Sequence, residues 1–333
     1  MLRLMYADRV AEPQPAPIVT VIVPTCGRAH LIAHAVETVR AQTWADWELL
    51  IVDDNGEGTE SQRATEDEVL RYGDDPRVRY VKHEQNRGAS AARNTGSSEA
   101  RGQYVAFLDD DDSWHPDKLT LQIRCFLEGP ADVALVYGGF RRVFADGSTS
   151  IVRPDGSAHL LPRLLMENAI GTTSLVMCRR DALLAVGGFD ERLPALQDFD
   201  LYIRLGLEHP FTWVDAILAD HRRQGGRSIT TDPEAAVRGH ELFYEKHRQL
   251  LERNPRVHAY RLRASALVLA RSGREREARA AYLRAWWLEP CRISSLTLGL
   301  LTHRLCVRGY RAIKGSCRCA RVRAVGRTDR PSE

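Results

Sequence analysis

No stretch of the 333 residues reaches the roughly 18 uninterrupted apolar positions that a membrane-spanning helix requires. The opening MLRLMYADRV holds no apolar core long enough for a secretory signal, so a cytoplasmic location is expected. Cysteine is scarce: seven residues, odd in number and scattered, of which Cys317 and Cys319 are one residue apart. No C-x-x-C pair or neighbouring histidine supports a zinc site there, and reduced thiols in a reducing compartment are the expectation. After the first apolar run the chain reads PTCGRAH, which lacks the G-x-G-x-x-G of a dehydrogenase. It lacks equally the Gly-rich, Lys-bearing triphosphate loop of a nucleotidyltransferase, which weakens that alternative. Acid is missing from one region altogether. Cys291–Thr328 carries nine Lys/Arg and no Asp/Glu, so a net charge of +3 leaves the rest of the chain at −6. A mildly acidic body with a basic tail points to an anionic surface as the tail's partner, and no nucleic acid is expected.

What is present suits a soluble globular protein with a sizeable core: 44% hydrophobic and 27% charged residues, enough for one large domain or two modest ones. Residues 1–17 end in the Pro-rich EPQPAP and read as a loose lead-in. IVTVIVP (18–24) is a short β-branched run stopped by proline, a buried strand. From Ala29 to Gln42, Leu31, Ile32, Ala35, Val36 and Val39 fall on one helical face. WELLIVDD (47–54) and VRYVKH (78–83) read as further buried strands. A small-residue helix around Ala89–Ala100 follows, then the strand YVAFL (104–108). Strands that are apolar throughout and alternate with helices predict an α/β fold, with a parallel sheet covered on both faces. Further on, VALVYGGF (133–140) and TSLVMC (173–178) look like strands, and QDFDLYIRLGLE (197–208) like a helix with Leu201 and Leu205 inward. GGRSIT (225–230) reads as a loop, and from Pro233 the chain reads as almost wholly helical. Residues 260–290 have a helix–turn–helix pattern with Gly273 at the turn and Pro290 at the stop. This resembles one tetratricopeptide-type repeat, but a solenoid needs several and no second copy is found, so a small helical appendage is expected.

In open α/β sheets ligands bind where loops leave the carboxyl ends of the strands. PTCGR (24–28), DDNGEG (53–58) and the aspartates at 109–112 all fall at such ends. Four consecutive like charges repel unless something positive holds them. Asp112 or Ser113 can cap the helix expected near Pro116, but one cap leaves Asp109, Asp110 and Asp111 without a role. Hard carboxylate oxygens suit Mg²⁺ or Mn²⁺, with a diphosphate completing the shell.

VTVIVPTCGR, LLIVDDNGEG, NRGASAARNTGSSEARGQYVAFLDDDDSW, VGGFDERL and LQDFDLYIRL follow one another as in family 2 glycosyltransferases, which the chain resembles over roughly residues 18–230. The block 86–114 is the most specific part. The resemblance implies a GT-A fold in residues 18–230, with a nucleotide half (about 18–115) and an acceptor half (about 116–230). Residues 231–328 would then be a helical C-terminal region. It also implies inverting transfer from a nucleotide-diphosphate sugar to a glycan or lipid-linked acceptor, with Mg²⁺ or Mn²⁺ at an Asp-x-Asp motif.

That motif is best matched by Asp109-Asp110-Asp111: Asp111 for direct metal contact, Asp109 or Asp110 toward the ribose and the metal-bound water. Pro24, Thr25 and Arg28 would line the nucleotide site, with Asp53 and Asp54 at the base, Gly88 allowing close backbone approach, and Arg93 nearby. A carboxylate accepts from the imide N–H of uracil or thymine, and guanine's N–H groups also fit. Asp198 matches the catalytic base, with Asp200 as the alternative. Cys26-Gly27 stand where many relatives carry Tyr-Asn, Gln197 where Glu is frequent, and Gln224 where His is frequent. A non-catalytic binding module on the same fold is the other alternative. In the tail, Ile293, Leu296, Leu300, Leu301 and Leu305 lie at largely helical spacing, with Arg304, Arg308, Arg311 and Lys314 following. Such a segment suits the inner face of a membrane, where lipid-linked acceptors reside.

Overall fold

The computed structural model describes residues 18–156, 160–223 and 232–290, without the side chain of residue 223. The lead-in, Gln224, the GGRSIT loop and the basic tail lie outside the described residues. Two compact units form. The first runs to Leu160 and takes in Ala169–Glu191 and the stretch from Leu201; the second takes Leu161–Asn168, Arg192–Asp200 and the chain from Gly226.

The first unit begins as the apolar periodicity predicts. Strand β1 (Val19–Thr25), helix α1 (Ala29–Arg40), β2 (Trp47–Asp53), α2 (Glu60–Leu70), β3 (Val78–Lys82), α3 (Ala89–Glu99) and β4 (Tyr104–Phe107) alternate along the chain. β1, β2 and β4 are buried at every position. α1 buries Ile32, Ala35, Val36 and Val39 against them, while Leu31 is only half-buried. β3 departs from the expectation of a buried strand: it is half-exposed because it closes one edge of the sheet and has only β2 beside it. Arg79 and Lys82 there reach Glu48 and Glu57, at 2.9 Å each. α3 lies tight on β1 because Gly96 has no side chain, and a Cβ there would sit 2.6 Å from Cγ2 of Ile22.

The short β5 (Ser113–Trp114), α4 (Lys118–Glu128), β6 (Leu135–Phe144) and β7 (Thr149–Val152) follow, then α5 (Leu160–Leu164), which starts at the unit boundary. After a 3₁₀ turn (Thr173–Leu175) come β8 (Met177–Arg179), α6 (Arg180–Ala185), α7 (Gln197–Glu208) and β9 (Phe211–Arg223). The strand order is β3-β2-β1-β4-β8-β6-β9-β5, with β7 on β6. Only the β3-β2-β1-β4 half is parallel throughout. β8 runs antiparallel to both β4 and β6, and β7 to β6, so the sheet is mixed rather than parallel. The reason is local for β7: it joins β6 through a short turn with Gly147 at φ +80°, and such a hairpin makes an antiparallel pair. TSLVMC also divides. Its first three residues form the 3₁₀ turn, with the Thr172 hydroxyl accepting from Ser174 N, and only the last two enter β8. β9 was not anticipated from the sequence; it pairs in parallel with β6 through a bulge at Gly138–Phe140. The core runs from β1 and β2 through Leu119 and Ile123 of α4 to Leu218 of β9.

The second unit is helical where it is described beyond Asp232: α8 (Pro233–Glu252), α9 (Pro255–Arg271) and α10 (Glu275–Leu288). Asp232 and Asn254 cap the first two, each followed by proline in the first turn. Ala259, Leu262 and Ala285 join α9 to α10, and Gly273 turns between them at φ +83°. Among the described residues no helix is long and apolar enough to cross a membrane.

Candidate active site

The carboxyl ends of β1, β2 and β4 bring the three polar stretches together in the first unit. The four aspartates that follow β4 meet four different surroundings. Asp109 faces α3: Arg93 Nη2 donates to Oδ1 at 2.5 Å, and the Thr172 and Thr173 hydroxyls lie 3.3–3.4 Å away. Burial works to raise its carboxyl, yet the charge and hydrogen bond of Arg93 hold it below the usual range. Asp110 is fully buried, accepting from Thr25 Oγ1 at 2.8 Å, with Arg28 Nη2 2.7 Å from its other oxygen. Burial outweighs these partners and pushes it up to about 7. Asp111, 28% exposed, takes the second nitrogen of Arg28 at 3.0 Å. Asp112 is buried and accepts from Ser174 Oγ at 2.6 Å, His221 Nδ1 at 3.0 Å and Arg222 N at 3.2 Å. It does not cap α4, whose N-cap is Asp117; three closer donors already claim its oxygens. The bond to Asp112 raises His221 above the ordinary histidine range. In this structure, then, the basic groups beside the run are Arg28, Arg93 and His221.

At the end of β2, Asp53 Oδ1 accepts from Asn55 N and Nδ2 at 2.8 and 2.7 Å, and Oδ2 from the Tyr80 hydroxyl at 2.6 Å. Asp54 Oδ1 accepts from Arg87 N at 2.7 Å and meets His83 Nδ1 at 2.8 Å, while Oδ2 accepts from Gly88 N at 2.7 Å. Both are buried and serve as local anchors: Asp53 folds the DDNG turn, and Asp54 holds the amides that lead into α3. Gly88, at φ +90°, starts that helix with nothing within 4 Å of where a Cβ would stand. Arg93, expected near the nucleotide, is buried under the ring of Phe189 at 5.5 Å. Pro24 lies buried in β1, one residue before Thr25.

Asp198 and Asp200 belong to the second unit, in the first turn of α7. Asp198 is half-buried; Asn168 Nδ2 donates to it at 2.9 Å and Phe199 N at 2.8 Å. Asp200 is fully buried, with Lys246 Nζ at 2.9–3.0 Å and His247 Nε2 at 2.8 Å. Buried and doubly paired, Asp200 is poorly placed to take a proton from a bulky acceptor. Leu196, two residues before Asp198, has φ +65°, a conformation costly for a branched side chain.

Sequence reasoning missed Ser174, Thr172, Thr173 and His221. The only signal was the polar TTS at the head of an otherwise apolar TSLVMC, and a histidine three residues before the Gln224 that was weighed. Among the described residues no cluster of three or more His, Cys, Asp or Glu forms a ready cation cage. The donor set still fits a hard cation in one respect. Asp111 offers a partly exposed carboxylate, and Mg²⁺ is commonly held by one or two carboxylates plus substrate phosphates. Asp109 fits less well, since Arg93 already occupies it.

Comparison with known proteins bears on the family and the fold. The profile of "Glycosyl transferase family 2" matches residues 20–187, about half of the chain. A putative colanic acid biosynthesis glycosyl transferase, WcaA of Escherichia coli K12, is 27% identical over 71% of this chain and 84% of its own. The E. coli UDP-Glc:alpha-D-GlcNAc-diphosphoundecaprenol beta-1,3-glucosyltransferase WfgD is 36% identical over 49% of this chain and 60% of its own. An uncharacterized glycosyltransferase of Rickettsia felis is 29% identical over 66% of this chain, which spans 36% of that relative. In fold, the chain is similar to S. aureus TarS 1–349 in complex with UDP-GlcNAc (TM-score 0.56, 16% identity, 91% of this chain and 92% of that one). It is equally similar to the Pyrobaculum calidifontis mannosyltransferase PcManGT in complex with GDP-Man and Mn²⁺ (TM-score 0.56, 18% identity, 95% and 89%). With the GT-A architecture, the strand-end aspartates and the family profile in agreement, this chain belongs to glycosyl transferase family 2.

Proposed function

We propose that the chain transfers a sugar, with inversion, from a nucleotide-diphosphate sugar to a hydroxyl of a glycan or lipid-linked acceptor, in the synthesis of a cell-surface polysaccharide or glycoconjugate. The observation that carries this reading is the aspartate run at the ends of β1 and β4. Thr25 and Arg28 fix Asp110 there, while Asp111 keeps part of its carboxylate open. A bound Mg²⁺ or Mn²⁺ would neutralise charge on the leaving diphosphate. Asp111 would hold it, and Asp109 would turn from Arg93 to the ribose or to water. Arg28 would remain beside the phosphates as a second positive group. In the transfer the acceptor oxygen bonds to the anomeric carbon, the bond from that carbon to the diphosphate breaks, and Asp198 takes the hydroxyl proton. The name of WfgD favours a uridine donor and a diphosphate-lipid acceptor, the UDP-GlcNAc bound to TarS supports uridine, and the GDP-Man of PcManGT keeps guanosine in view.

The location proposed is cytoplasmic, with residues 293–315 docking on the anionic inner face of the membrane. Each basic group near such a surface contributes about 1 kcal/mol, weakened by salt. Full-length protein should pellet with anionic liposomes at low salt, and a chain ending at Pro290 should not. Equal pelleting of both removes the tail from this reading.

Transfer is tested by screening UDP and GDP sugars with Mn²⁺. EDTA should abolish turnover, Mn²⁺ or Mg²⁺ should restore it, and Asp111→Asn should fold normally without activity. Full activity in chelator overturns the metal assignment.

A further inference from the structure

We propose that Ser174 is a positioning residue that sets the pose of the metal-binding aspartates. It lies in the 3₁₀ turn before β8, fully buried, far in sequence from the residues it holds. Its hydroxyl accepts from Asp109 N at 3.1 Å and donates to Asp112 Oδ2 at 2.6 Å. One hydroxyl carries one proton and two lone pairs, so this donor–acceptor pattern is self-consistent. Its carbonyl accepts from the Trp114 indole at 2.8 Å. The residue therefore grips the run at its first member, its last member and the tryptophan just beyond. Asp110 and Asp111 are the only two aspartates it does not touch, and they are strung between the points it fixes. A turn from Asp109 O to Asp112 N, at 3.0 Å, closes the same loop.

The other end of Asp112 is held by His221 and Arg222 N of β9. Ser174 and Asp112 thus tie the loop to the 3₁₀ turn before β8 and to β9, while Thr25 and Arg28 tie it to the end of β1 and the start of α1. A carboxylate that would hold a cation gains from such support. Outer-shell partners of metal ligands typically account for 10–100-fold in metal affinity or activity.

The inference rests on the reading of Asp111 as the metal contact, and one experiment separates the two. Mn²⁺ binding by the full-length protein is followed by electron paramagnetic resonance of the free ion, with UDP or GDP present, for wild type and four variants. Ser174→Ala should weaken Mn²⁺ binding roughly 10-fold or more, and Asp112→Asn, which keeps the side chain's shape, should do likewise. Thr20→Val is the matched control. Thr20 is an equally buried hydroxyl that donates to Glu48 at 2.7 Å and accepts from Gly102 N at 2.9 Å, at the opposite end of β1. It should lower Tm comparably and leave Mn²⁺ affinity at the wild-type value. Asp111→Asn should lose binding outright. If Asp111→Asn loses binding while Ser174→Ala and Asp112→Asn keep it, or if Thr20→Val weakens it equally, the positioning role is wrong. If Asp111→Asn binds like wild type, the metal assignment falls and takes the positioning role with it.

Discussion

Replacing Asp200 and Asp198 separately by asparagine should split stability from catalysis. Asp200 is fully buried, and two side chains close on it: Lys246 Nζ at 2.9–3.0 Å and His247 Nε2 at 2.8 Å. Asparagine keeps the volume but removes the charge, leaving the buried His247 and the solvent-reaching Lys246 without their carboxylate. Because Lys246 can turn to water, the loss is that of charge-assisted hydrogen bonds, about 1.5–3 kcal/mol, rather than that of a fully buried ion pair. For a chain of this size that is a fall in Tm of roughly 5–10 °C. Asp198 is half-buried and accepts from an amide and a backbone N–H, so Asp198→Asn should cost about 1 kcal/mol or less. Its effect should appear instead in turnover, down on the order of 10²-fold or more, as expected for a lost general base. Differential scanning fluorimetry and a sugar-transfer assay on both variants give the two readings. An Asp200→Asn protein that melts like wild type but does not turn over, beside a fully active Asp198→Asn, would refute both halves of the argument.

Other perturbations probe the remaining elements. Gly96→Ala should destabilise by about 1–2 kcal/mol despite alanine's better helix propensity, since its Cβ meets Ile22; adding Ile22→Ala should cost less than the sum, measured by a double-mutant cycle in urea. Asp54→Asn should lower Tm by leaving one of two part-buried amides, Arg87 N or Gly88 N, without its acceptor, about 0.5–1.5 kcal/mol; an unchanged Tm and unchanged nucleotide affinity would show these bonds to be dispensable. His240 is depressed to about 4 by burial first and by Arg261 second. A folded value below the unfolded one means stability is fully present above pH 6.5 and is lost as pH falls toward 4, by up to about 3 kcal/mol. His240→Gln should flatten that part of the urea-midpoint profile, and an identical slope in the variant would contradict it.

Periodicity and strand-end logic carried the first half of the fold. Val, Ile and Leu runs at 18–24, 47–54 and 104–108 can be satisfied only by burial on both faces, so β1, β2 and β4 were legible. β3 was legible as a strand but not as an edge, because its lone neighbour is a property of strand order, which residue pattern does not encode. β9 was missed since FTWVDAILADHRR mixes apolar and charged positions around a bulge, and a bulge breaks alternation. At the site, the aspartates declared themselves by charge density. The hydroxyls that hold them did not, because serine and threonine ahead of a strand look like any turn. Asp200 shows the converse: it lies two residues from Asp198 in a similar acidic setting, and only the distant Lys246 and His247 reveal its separate role.

The four aspartates carry one further consequence, for chains altered in length rather than in letter. Deleting any one of them yields the same text, FLDDDSW, so there is a single deletion variant and it cannot record which position was lost. The three survivors would have to divide among Arg93, Arg28, Thr25 and the Ser174–His221 pair with one berth left vacant. Anchoring from Phe107 would empty the Asp112 berth; anchoring from Trp114 would empty that of Asp109. Either way a run that looks like padding behaves as a reading frame. Its length is as much a part of the site as its charge.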